Sequence, residues 1–181
     1  MSYGFDLARL APGLADREEA YRKMAAGEPV SVNRLGENIG PLDPAKEQVK
    51  ERLAAALIAR HPSLKRFHCD YASIAKEEST DESEARRRYR TVELNDKKRW
   101  VQIVIFDDEA GLSFSLGGSG AVCRKTLRMI WDCLEILETQ GGFSTFDPQM
   151  NRLLDLSADF EMVAGRTCKP GEQAGHPKLI P

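Results

Sequence analysis

The stretch WVQIVIFDDEAGLSFSL, residues 100–116, decides the fold together with residues 117–156. WVQIVIF and LSFSL predict two adjacent strands separated by a short polar break, DDEAG. A strongly apolar helix follows at 121–140, and GGFSTFDPQMNRLLDL (141–156) predicts two more short strands around an Asp-Pro turn. These elements predict an α+β fold: a mainly antiparallel sheet with helices packed against it.

Apolar periodicity predicts which faces are buried. WVQIVIF is apolar on both faces, which is typical of a central strand covered on both sides. In LSFSL apolar and polar residues alternate, which predicts that Leu112, Phe114 and Leu116 face the core. Along the helix, apolar residues recur at four-three-four-three spacing at Cys123, Leu127, Ile130, Leu134 and Leu137. Gly141-Gly142 predicts the end of this helix.

The N-terminal half supplies further elements. Tyr3, Phe5 and Leu7 alternate with small or polar residues and predict an edge or first strand. Asp43-Pro44 predicts a helix start, and a second proline ends that helix after His61. FHCDYASI (67–74) is ambiguous, with a strand as one interpretation. We expect a single α+β domain over residues 1–165 and an irregular C-terminal tail over residues 166–181.

A charge block separates the two halves. KEESTDESE (76–84) holds five acids and one base, and ARRRYRTVELNDKKR (85–99) holds seven bases and two acids. A solvated hairpin or excursion explains such a block without any function, and Val92 and Leu94 predict a strand at its end. The alternative is an acidic surface that steers a basic partner. Its candidate residues are Glu77, Glu78, Asp81, Glu82, Glu84, Asp107, Asp108 and Glu109.

Composition limits the classes of function. The 26 basic and 28 acidic residues give a net charge of −2, which argues against sequence-independent binding of nucleic acid. No apolar run approaches the roughly 18 residues of a spanning helix, so no membrane association is expected. The N-terminus lacks the basic start and apolar segment of a secretory signal. We therefore expect a cytoplasmic protein.

Cysteine and histidine spacing predicts no metal and no cofactor. The four cysteines form no CxxC pair, and the three histidines show no ligand spacing. Cys123 and Cys133 lie about 15 Å apart along one helix, too far for a disulfide between them. Reduced, packed thiols are the expectation for all four cysteines.

Two segments allow a chemical interpretation beside a structural one. The glycine-rich turn Gly117, Gly118, Ser119 and Gly120 leads from a strand into a helix, where backbone N–H groups bind anions, yet a flexible turn explains the same residues. The three carboxylates of DDEAG suit Mg²⁺ or acid–base chemistry, yet a polar hairpin end explains them as well. No nucleophile motif is present, so the sequence names no catalytic residue.

Three segments carry a resemblance. MSYGFDL (1–7), VQIVIFDDEAGLSFSL (101–116) and GGFSTFDPQMNRLLDL (141–156) resemble a group of small, uncharacterised bacterial proteins. That group opens with an MSYD-type strand and closes with a GGF-x-x-YDPQ-like segment. Phe146 stands where the group usually has tyrosine, and residues 117–120 stand where it often has a bulkier aromatic sequence. Small α/β proteins of this kind occur among the immunity proteins of bacterial toxin systems.

The resemblance predicts a protein-binding protein, most concretely an immunity protein that neutralises a toxin by occluding its active site. The alternative is a small enzyme, or an anion- or nucleotide-binding domain, that uses the Gly117–Gly120 turn. A cleft with converging titratable groups would favour the alternative, whereas a charged, protruding face would favour the immunity protein.

Overall fold

The structure, a computed structural model, describes residues 2–9, 25–26, 37–38, 40–115 and 120–168. Within these ranges seven strands form one antiparallel sheet in the order β2-β3-β4-β5-β1-β6-β7. The strands are β1 (Ser2–Arg9), β2 (Lys65–Phe67), β3 (Val92–Asp96), β4 (Val101–Ile105), β5 (Glu109–Ser115), β6 (Phe143–Asp147) and β7 (Arg152–Leu153). The helices are α1 (Pro44–Arg60), α2 (Tyr71–Glu77), α3 (Glu82–Arg88), α4 (Gly120–Gly141) and α5 (Phe160–Thr167). The α+β prediction is confirmed.

The strand register gives the sheet two distinct ends. Asp96 pairs with Val101 across the β3–β4 turn, whose last residue is Trp100. At the other end of the same two strands, Val92 pairs with Ile105, just before the β4–β5 turn that holds Asp107. We call these the Trp100 end and the Asp107 end. Five residues of strand separate them, a distance of roughly 16 Å.

One face of the sheet forms the core together with α1, α4 and α5. The alternation in β3, β4 and β5 places their apolar residues on this face, as predicted. The expected core residues all belong to one buried cluster: Val101, Ile103, Ile105, Phe114, Leu127, Ile130 and Leu134. The opposite face of β4 carries exposed Gln102 and half-buried Val104, so it is less covered than predicted.

Local chemistry explains where the long helices begin and end. The Asp43 carboxylate accepts the N–H of Ala45 at 2.9 Å, and Pro44 opens α1, as the sequence predicts. Gly142 ends α4 with φ at 70°, in the left-handed region that glycine adopts most readily. Its N–H donates to the Glu138 carbonyl at 3.0 Å, which satisfies one of the carbonyls left open at the helix end.

The structure decides four further expectations, for segment 67–74, the charge block, the first strand and the C-terminal tail. The ambiguous segment 67–74 ends β2 at Phe67 and then starts α2, because the Asp70 side chain caps that helix by accepting the Ser73 N–H at 3.1 Å. The charge block is folded into α2 and α3 rather than forming a solvated excursion. The segment at Tyr3, Phe5 and Leu7 is the first strand, β1, as one of the two interpretations predicts, and it lies between β5 and β6 rather than at an edge of the sheet. The expected tail boundary at residue 166 falls inside α5, while residues 169–181 lie outside the described part of the chain.

The expectation of four reduced thiols is wrong for two of the cysteines. Cys123, near the start of α4, forms a disulfide with Cys168, which follows α5, and the two Cα atoms are 5.4 Å apart. Cys133 is a free, buried thiol, and its burial raises its pKa to about 12. Sequence spacing predicted only that Cys123 does not pair with Cys133. The packing of α5 against α4 brings Cys168 next to Cys123.

We expect the Cys123–Cys168 bond to stabilise the fold by roughly 2–4 kcal/mol, because it closes a long loop in the unfolded chain. Urea unfolding with and without dithiothreitol measures this difference. The Cys123→Ala/Cys168→Ala variant should match the reduced protein and ignore the reductant, whereas Cys69→Ser should behave like the wild type. Equal stability in both conditions would contradict the prediction.

Candidate functional site

The acidic candidates of α3 are neutralised within their own helix. The Glu84 carboxylate accepts hydrogen bonds from Arg87 at 2.6 Å and from Arg88 at 2.9 Å, which together lower the pKa of Glu84 to about 2. Glu82 pairs with Arg86 at 2.6 Å, one helical turn further on. The charge that the sequence predicts for a basic partner is therefore largely cancelled at this helix.

The remaining acids of the block have mostly structural contacts. Glu78 accepts a short hydrogen bond from the Tyr89 hydroxyl and pairs with Arg88 at 3.3 Å. Asp81 caps α3 by accepting the Glu84 N–H at 2.8 Å. Glu77, at the end of α2, and Asp81 remain exposed. Glu78 and Glu82 are exposed as well, but both are ion-paired with arginines.

Asp107 is not a surface residue, which corrects its place among the partner-binding candidates. It is only 3% exposed, and it pairs with Lys50 at 3.0 Å and with Arg90 at 2.7 Å. Burial raises the pKa of Asp107, but the hydrogen bonds from Arg90 and Lys50 outweigh burial and hold this pKa below its usual value. Its carboxylate is fully engaged inside the protein.

Further ion pairs and hydrogen bonds surround this group of buried charged side chains. Glu47 lies 2.7 Å from the Lys50 amine and 3.6 Å from Arg90 Nε, and Arg90 also donates to the Pro41 carbonyl at 3.2 Å. Asp108 is about a quarter exposed and pairs with Lys46. The cluster ties α1, the segment before it and the β4–β5 turn together, which is a structural role.

Glu109, the last acid of the predicted surface, opens β5 opposite Ala8 and is half-buried. The β4–β5 turn and α3 both lie toward the Asp107 end, because Val92 follows α3 and pairs with Ile105. The structure thus brings the two acidic segments to one end of the sheet. It interleaves them with arginines instead of leaving them as one acidic face.

Two clefts adjoin this end, one lined in part by ion-paired arginines and the other in part by a histidine and a cysteine. A cleft of about 520 Å³ is lined by four arginines, of which Arg66 is held by Glu51 and Arg86 by Glu82. A neighbouring cleft of about 410 Å³ is lined in part by Cys69. Burial, together with nearby carboxylates, raises the pKa of this thiol, so it stays protonated near neutral pH and is a poor nucleophile.

The other chemical candidates do not come together. Among the described residues, no group of three His, Cys, Asp or Glu side chains is arranged to hold a metal ion. His61 lies 3.4 Å from Asp132, and its burial lowers its pKa. Of the glycine-rich turn, only Gly120 is described, as the first residue of α4, and Gly117, Gly118 and Ser119 lie outside the described residues.

Two of the segments that carry the resemblance form neighbouring strands in the structure. β1, from the MSYGFDL segment, pairs with β6, from the GGFSTFDPQ segment. The buried Tyr3 hydroxyl donates to the Asp147 carboxylate at 2.5 Å, and burial together with this bond raises the pKa of Tyr3. The other Asp147 oxygen accepts the N–H groups of Gln149 and Met150, at 2.9 and 3.0 Å. Asp147 thus fixes the Asp-Pro turn, which is a structural role.

Sequence reasoning missed an aromatic side chain that the structure leaves largely exposed. Trp100, taken there as the start of a strand, lies in the β3–β4 turn, is 75% exposed and has φ at 52°. The polar run NDKKR before it is a turn signal that could have identified this position. A bulky residue in the left-handed region is a conformational outlier, and such outliers concentrate at functional positions.

Comparison with family models, curated proteins and solved structures found no match to this chain. Within the described residues, no helix combines the length and apolar character needed to cross a membrane.

Proposed function

We propose that the protein is a protein-binding protein that acts in the cytoplasm, most concretely an immunity protein that neutralises a bacterial toxin by occluding its active site. The observation that carries the proposal is the contrast between charged and apolar side chains. In the described part of the chain, the arginines of the clefts are ion-paired, whereas apolar side chains are accessible: Phe67 and Leu42, which line the two clefts, and Trp100, which lies away from them, are each more than half exposed. Exposed apolar side chains favour an interface with another protein. Side chains that are held in ion pairs are not available as a general acid or base.

The Cys123–Cys168 disulfide is relevant to the cellular compartment in which the protein acts. Disulfides are rare in the cytosol, where thiols are kept reduced. Alkylation of the protein in freshly broken cells, followed by mass determination, shows whether Cys123 and Cys168 are bonded in its own compartment. A bonded pair would move the proposed site of action out of the reducing cytosol, and a reduced pair would support the cytoplasmic proposal.

The test of function is co-expression with the product of a neighbouring gene. If that product is toxic, we expect growth to be restored by this protein, and the purified pair to form a stoichiometric complex in which the toxin's activity is blocked. A non-toxic neighbour with no complex, together with turnover of a nucleotide or other small substrate by this chain, would overturn the proposal. That result would favour the alternative, an enzyme or anion-binding domain at the Gly117–Gly120 turn.

A further inference from the structure

The β3–β4 turn is a rigid support for an exposed indole. Asp96, only 2% exposed, accepts the N–H groups of Lys98 and Arg99 at 3.0 and 3.2 Å. Arg99 in turn donates to Asp96 at 2.5 Å and to the Ser63 hydroxyl at 3.0 Å, which fastens the turn to the segment after α1. Trp100 closes the turn, and its carbonyl accepts the Ser115 N–H at 3.2 Å.

The backbone conformation at position 100 does not explain why the residue there is tryptophan. A residue with φ at 52° is most easily glycine or asparagine, and tryptophan there accepts backbone strain while leaving a large apolar side chain in water. The second tryptophan, Trp131, behaves as fold-determining tryptophans usually do: it is 4% exposed and donates to the Leu156 carbonyl at 2.8 Å. The contrast indicates that Trp100 serves contact with another molecule.

The surroundings of Trp100 carry an excess of positive charge. Lys97, Lys98 and Lys65 are exposed and pair with no carboxylate in the described part of the chain, and Arg99 is offset by Asp96. Lys65 belongs to this patch because it pairs with Asn95, next to the turn. The Trp100 end is therefore basic, while the acids predicted to bind a partner lie at the opposite end, roughly 16 Å away along β3.

We propose that the Trp100 turn is the anchor of the partner interface and that its partner is a protein with an acidic surface around an apolar pocket. The pocket takes the indole of Trp100, and the acidic rim faces Lys97, Lys98 and Lys65. A preorganised turn loses little entropy on binding, and tryptophan is the residue most enriched at interface hot spots. One tryptophan with three lysines gives only weak adsorption to a membrane, and the net charge of −2 disfavours nucleic acid.

This inference rests on the proposed protein-binding function, and photo-cross-linking separates the two. A photoreactive phenylalanine derivative is placed at position 100, at Phe67 as a matched exposed aromatic site, and at Glu77 in the acidic block, in the full-length protein in its native cells. Supporting the inference requires cross-linking from position 100 to one protein, at a segment rich in Asp and Glu. The same protein captured from Glu77 but not from position 100 would leave the function standing and overturn the inference.

Other outcomes also decide the question. Cross-links from position 100 to lipid, to nucleic acid or to a second copy of the chain would overturn the acidic-protein partner. No protein captured from any position would overturn both the inference and the protein-binding function.

Binding measurements with the captured protein complete the test. Trp100→Asn should weaken affinity roughly thirtyfold or more, with an unchanged melting temperature, because asparagine accepts the left-handed conformation. Lys97→Glu/Lys98→Glu should slow association about tenfold at low salt, and added salt should remove the difference. The control Lys76→Glu, in α2, should leave both quantities unchanged. Affinity that is unaffected by Trp100→Asn would overturn the anchor role.

Discussion

Asp107→Asn should destabilise the protein by roughly 3–5 kcal/mol, because it removes a buried negative charge that pairs with two buried cations, Lys50 and Arg90. Lys50 is fully buried and Arg90 is 5% exposed. Water therefore cannot solvate either cation in place of the lost carboxylate unless the structure opens. Glu47 remains near both, but it is about a third exposed and lies 3.6 Å from Arg90. Urea unfolding at neutral pH measures the loss.

Asp108→Asn is the matched control, since Asp108 is the next residue, carries the same charge and pairs with a partly exposed lysine. We expect it to cost about 1 kcal/mol or less, as is usual for surface ion pairs. Equal losses in the two variants would show that Asp107 is not the centre of a buried charge cluster.

The wild type should show the corresponding pH dependence. The pKa of Asp107 is lowered in the folded state, so its contribution is fully present above the unfolded-state pKa of 3.8 and is lost as the pH falls through the lower folded-state pKa. In Asp107→Asn this part of the acid destabilisation should be absent.

Leu134→Ala should cost roughly 2–5 kcal/mol, because it removes a fully buried side chain from the middle of α4 and leaves a cavity between that helix and the sheet. The adjacent Glu135 points away from the core and is exposed, so Glu135→Ala is the control and should change stability by less than about 0.5 kcal/mol. Thermal and urea unfolding of both variants measure the difference. A loss below about 0.5 kcal/mol for Leu134→Ala would place α4 on the surface and contradict the fold.

Local sequence chemistry was sufficient for most of the elements. The alternation in residues 3–7 and 112–114, the stripe along α4 and the Asp43-Pro44 cap depend only on neighbours in the chain, and the structure confirms each of them. Because burial of an apolar face requires a partner layer, these patterns were also enough to predict an α+β domain.

Charge was harder to interpret, because the partners of an ionisable side chain come from distant segments. Asp107 lies in a run that is typical of a polar hairpin end, yet Lys50 and Arg90 approach it from α1 and from the segment before β3. The acids of 76–84 form a block in the sequence, but one helical turn places arginines beside Glu82 and Glu84. Hence the acidic surface predicted from the sequence is largely neutralised in the fold.

The sequence by itself determined most of the strands, the long helices and the apolar faces that form the core, since these follow from periodicity and caps that operate over a few residues. Only the tertiary structure decided which cysteines pair, which carboxylate is buried and which tryptophan is exposed. Each of these depends on how far apart two segments lie in space, and the spacing of residues along the chain carries no record of that distance.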